Sequence, residues 1–71
     1  MTNKELLEEA IRKSGLKKGY IAQQVGLTPA GLLNCLNNKA EFKVSQVHKL
    51  CELLNLDQDQ RTAIFFAVGG A

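Results

Sequence analysis

Apolar residues recur along the chain at helical intervals, and turn-forming residues punctuate them. Leu6, Leu7, Ala10 and Ile11 repeat on one face of a helix. Thr2-Asn3-Lys4-Glu5 precedes them and reads as a capping box, a hydroxyl and a carboxylate three residues apart satisfying each other's orphan amides. Glu5, Glu8 and Glu9 lie near the positive end of this helix, Arg12 and Lys13 near its negative end, and Gly15 supplies a left-handed stop. The first helix is therefore predicted over about residues 3–14. A second runs from Lys18 to Val25, with Ile21, Ala22 and Val25 inward, and stops at Gly26. Thr28 is a good N-cap and Pro29 sits at the first helical position, where its missing amide costs nothing. A third helix follows from Pro29 to Leu36, burying Leu32 and Cys35 and closed by Asn37-Asn38. After a loop from Lys39 to Lys43, Val44, Val47, Leu50, Cys51 and Leu54 define the inner face of a fourth helix over Val44 to Leu54. Asp57 with Gln60 opens a fifth, carrying Ile64, Phe65, Phe66 and Val68 before Gly69-Gly70. No segment alternates as a strand does. The expectation is one all-α domain of five short helices spanning 1–71.

Length and composition narrow the function. At 71 residues the chain has room for a single small core, which hides only about 60% of the unfolded surface. The longest apolar run, Ala63 to Val68, is far too short to span a membrane, and there is no charged-then-apolar leader, so a cytoplasmic protein is expected. Cys35 and Cys51 lack the paired spacing of a disulfide framework or zinc site, and the pattern predicts two reduced, buried thiols, with His48 a solvated helix residue. No Gly-rich phosphate loop and no nucleophile with a base at recognisable spacing is present. The expectation is a non-enzyme with no metal, cofactor, membrane or small-molecule partner.

Charge matters once it is mapped. From Arg12 to Lys49 there are seven basic residues (Arg12, Lys13, Lys17, Lys18, Lys39, Lys43, Lys49) and one acid, Glu41, so this segment carries +6 and the flanks −4. Segregation of this kind suits a polyanion on one face, although lysines also decorate ordinary surfaces. Helices two and three are separated only by Gly26-Leu27-Thr28, which forces a steep crossing. Ala22 gives a small side chain where the backbones meet, Gly26 a left-handed turn, and Leu32 an inward anchor. These offsets predict a helix-turn-helix within Lys18–Asn37, serving either recognition or packing alone.

Gly15-Leu16-Lys17-Lys18, Ile21-Ala22-Gln23-Gln24-Val25-Gly26-Leu27-Thr28, Leu32 and Asn37-Asn38-Lys39 together resemble the lambda-repressor/Cro-type (XRE) helix-turn-helix domain over nearly the whole chain. The resemblance implies a five-helix repressor-like fold. It also implies a sequence-specific transcriptional regulator of the kind found in phages, other mobile elements or toxin–antitoxin operons, binding palindromic double-stranded DNA as a homodimer. Lys17 and Lys18 oppose the dipole of the second helix, a misplacement that makes sense if a phosphate binds the free amides there. The family places a phosphate-gripping residue at the Lys18 position and touches the backbone again at positions matching Asn37, Lys39 and Lys43. Its groove-reading side chains fall on Pro29, Ala30, Leu33 and Asn34. Pro29 and Ala30 stand where polar readers are usual, leaving Thr28 and Asn34 as hydrogen-bonding candidates and Leu33 for thymine methyls or a protein contact. A second departure is apolar: Ile11 and Leu36 stand where many members pair an Arg with a Glu.

The run Ile64 to Val68 holds four large side chains that cannot all face one small core. Phe65, Phe66 and Val68 are accordingly expected at a two-fold interface, the competing arrangement being packing against the first helix alone. A protein-interaction adaptor, antirepressor-like or antitoxin-like, is the rival function. It would use Leu33, Pro29 and Ala30 as an apolar patch.

Overall fold

A computed structural model of the chain describes residues 2–65, which form five helices and no strand. They are α1 (Lys4–Ser14), α2 (Lys18–Val25), α3 (Pro29–Leu36), α4 (Val44–Leu53) and α5 (Gln58–Ile64). None of these helices is long and apolar enough to cross a membrane. The boundaries follow the local chemistry of the sequence. Asp57 and Gln60 cap α5 reciprocally at 2.8 and 3.0 Å. Gln46 reaches back to the Lys43 amide at 2.8 Å to start α4.

The start of α1 differs from the expected capping box. Asn3 is the N-cap, its side chain accepting from the Leu6 amide at 3.1 Å. Thr2 is buried instead and serves a distant partner. Its amide donates to Asn38 Oδ1 at 2.8 Å and its carbonyl accepts from Asn38 Nδ2 at 3.0 Å. Asn38 holds a left-handed φ of 60°, a conformation that Asn tolerates better than most residues other than glycine, and its side chain is spent on Thr2. Asn38→Ala should therefore cost about 2–3 kcal/mol, two net hydrogen bonds plus left-handed strain. Asn38→Gly should recover the strain component, and urea denaturation of both variants followed by circular dichroism checks the difference.

One core serves all five helices. Leu7 and Ile11 enter from α1, Ile21, Ala22 and Val25 from α2, Leu32, Cys35 and Leu36 from α3, and Val47 and Leu50 from α4. The loop residue Phe42 meets Phe65 edge to face, ring centroids 5.8 Å apart, adding an oriented aromatic contact to their burial. In the layout, α2 packs on α3 and α4 while α1 packs on α5. Ile11 and Leu36 are both core residues.

Several expectations are corrected. Phe65 lies just past the end of α5 and is 2% exposed, so its ring fills the monomer's own core and cannot anchor a two-fold interface. Phe66 and Val68, the other two residues expected there, lie outside the described residues. Val44 is 62% exposed rather than inward, because at the first position of α4 its Cβ precedes the turn that faces the core. Leu6 is exposed beside buried Leu7, and Cys51 is half-buried where Cys35 is buried. Burial holds the Cys35 thiol above its ordinary range, and the Glu41 carboxylate adds to the effect. Burial likewise raises Cys51, with Arg61 pulling it partway back.

Candidate nucleic-acid interface

The segment from Lys17 to Lys39 is shaped by two left-handed closures and two differently built helix starts. At the end of α2, Gly26 takes φ 80°, its amide reaching Gln23 O at 3.2 Å and the Leu27 amide reaching Ala22 O at 2.8 Å. This is a Schellman closure, in which two amides beyond the helix satisfy its last carbonyls. Thr28 then caps α3, its Oγ1 accepting from the Gly31 amide at 3.0 Å, with Pro29 at the first helical position. The far end of α3 repeats the device. The Lys39 amide reaches Asn34 O at 2.8 Å and the Asn38 amide reaches Cys35 O at 3.2 Å.

These constraints fix which way α3 faces. Leu32, Cys35 and Leu36 are buried, whereas Pro29, Ala30, Leu33 and Asn34 are exposed. Leu33 is 50% exposed, a large apolar side chain held at the surface between two polar-capped helix ends. Asn34 presents its side-chain amide outward while its carbonyl closes the helix. Thr28 is exposed and its hydroxyl oxygen accepts one bond in capping, which leaves the hydroxyl proton and one lone pair for an outward bond.

The cations surround this helix in sequence. Lys17 is the N-cap of α2, with extended φ −80° and ψ 146° and no side-chain cap bond, so the first amides of α2 have no side-chain acceptor among the described residues. Lys39 and Lys43 follow α3, the latter as the N-cap of α4. Lys17, Lys39 and Lys43 are exposed and make no ion pair with another described residue. Asn37 is exposed beside them. Lys18 differs: its Nζ lies 2.8 Å from Glu8 Oε1, with the two side chains 49% and 34% exposed. All ten residues expected to touch DNA are thus at the surface, and one of them already holds an anion from its own chain.

Sequence reasoning missed the Glu8–Lys18 pair and the Asn38–Thr2 clasp. Helical periodicity reports which face a residue occupies and says nothing of a partner ten or 36 positions away. The exposed Val44, next to Lys43, was also missed as a surface residue. No family model, curated protein or solved structure matches the chain. The functional reading therefore rests on the residues and their placement.

Proposed function

We propose that this chain is a small sequence-specific DNA-binding transcriptional regulator with a lambda-repressor-like five-helix fold, in which α2 and α3 form the helix-turn-helix. The observation that carries the reading is the division of α3. Its inner residues are buried in the core, and its four outer residues stand exposed, with exposed lysines at the start of α2 and in the segment after α3. In this role α3 lies in the major groove, Asn34 bonds an adenine edge, and Leu33 and Ala30 meet thymine methyls. Lys17 and Lys18 grip phosphate together with the open amides of α2, and Asn37, Lys39 and Lys43 hold the backbone beyond α3. Two such units on a palindrome place their α3 helices about 34 Å apart. Since Phe65 is committed to the core, the two-fold contact has to be made by other residues.

Selection of duplexes from a randomised pool with the purified chain tests this reading. A recovered palindrome is the expected result, and Asn34→Ala should relax discrimination at one base pair by about 1–3 kcal/mol while leaving the other positions unchanged. A second reading is favoured by Leu33, whose exposure beside Pro29 and Ala30 suits an apolar protein contact. Binding of that kind survives salt and fails on Leu33→Asp, and a pool that yields no enriched sequence would favour it.

A further inference from the structure

Of the lysines assigned to the DNA backbone, Lys18 is the one that holds a carboxylate, and the carboxylate comes from another helix. Glu8 has Arg12 four positions on, the ordinary partner for a helical acid. Yet Arg12 and Lys13 are both drawn to Glu9, at 3.3 and 4.0 Å. The acids of α1 are thus divided: Glu9 serves the cations of its own helix, and Glu8 reaches across to the start of α2. The two side chains meet in an open notch lined also by Lys4, Glu5, Glu9, Ile11, Arg12 and Leu16. At 2.8 Å the contact is a charge-assisted hydrogen bond, and its carboxylate makes the same kind of bond to Lys18 that a phosphate oxygen makes.

We propose that Glu8 competes with the DNA backbone for Lys18 and thereby sets the protein's affinity for duplex. The inference rests on the DNA-binding reading above. A phosphate arriving at the first turn of α2 has to take Lys18 from Glu8. That competition weakens binding by the same factor on every sequence, because it involves no base.

The experiment is a titration of one mixed-sequence duplex at low salt with the wild-type chain, Glu8→Gln, Lys18→Met, the double variant and Glu9→Gln, each checked for helicity by circular dichroism. Glu8→Gln should tighten binding about threefold per protomer, roughly tenfold for a two-fold pair. Glu9→Gln removes the same charge from the same helix and should stay within about twofold of wild type. In the Lys18→Met background, Glu8→Gln should fall to the level of that control, and the gain should fade as salt is raised. Equal midpoints for Glu8→Gln and Glu9→Gln, or a gain that persists without Lys18, would overturn the competition while leaving DNA binding intact. If neither the wild type nor Glu8→Gln binds duplex even at low salt, the DNA reading falls, and this inference with it.

Discussion

Reversing the charge at Lys18 is expected to remove duplex binding on every sequence. In the free protein this side chain sits at the uncapped start of α2, where its charge opposes the helix dipole and is compensated by Glu8. On the proposed reading, Lys18→Glu would lose the phosphate contact and put a second acid beside Glu8. The loss should be about 100-fold or more for a two-fold complex, with no dependence on base sequence. The wild type should show the matching salt behaviour. If about six phosphates are neutralised per dimer, the log–log slope is near −5, and affinity falls roughly a thousandfold between about 50 and 200 mM salt. Fluorescence anisotropy across a salt series measures both quantities. A flat salt response, or a Lys18→Glu variant that binds like wild type, would remove the phosphate role from this end of α2.

Ionising the core at Ile11 should nearly unfold the protein. Ile11 and Leu36 are both buried, and the resemblance to lambda-repressor-type domains aligns them with an Arg–Glu pair common in that family. Leu36→Glu alone buries a carboxylate among apolar neighbours, and Ile11→Arg alone buries a guanidinium at the edge of a notch whose Glu8 is already held by Lys18. Each should cost about 3–5 kcal/mol, the range for an uncompensated buried charge. A chain of this size has a total stability of roughly 4–10 kcal/mol, so either variant should be largely melted at modest urea. The double variant should recover part of the loss, with a coupling of about 1–3 kcal/mol, and remain no more stable than the apolar wild type. Urea denaturation of all four proteins gives the cycle. An absence of coupling would show that the two positions do not face each other, and would weaken the alignment on which the groove-reading residues were assigned.

The local rules of the sequence placed the helices closely. The bounds of α2 and α3 are those the pattern predicts, since Gly26, Thr28 and Pro29 each act within one turn of where they stand. The first helix shows the limit of such rules, because Thr2 and Asn3 are both eligible caps. What decides between them is the bonding of Thr2 to Asn38, 36 positions away. Phe65 failed for a similar reason. A crowded apolar run shows that some side chains must turn outward, but only tertiary packing decides which, and Phe42 claimed this one. At the candidate interface, exposure was legible from the inner face of α3, since whatever is not needed inside points out. The state of each lysine was not legible. Lys17 and Lys18 are neighbours in sequence, yet an acid from α1 engages only the second.

The Asn3 amide donates to the carbonyl of Ile64 at 2.8 Å, tying the start of α1 to the last residue of α5. That bond closes a loop of nearly the whole described chain, whereas α2 and α3 join across three residues. Closing a loop over so many residues costs more conformational entropy than a three-residue link, so the α1–α5 seam should form later in folding than the contiguous α2–α3 pair. Substitutions at the seam should then mainly speed unfolding and those between α2 and α3 slow folding, which the two arms of a chevron plot measure.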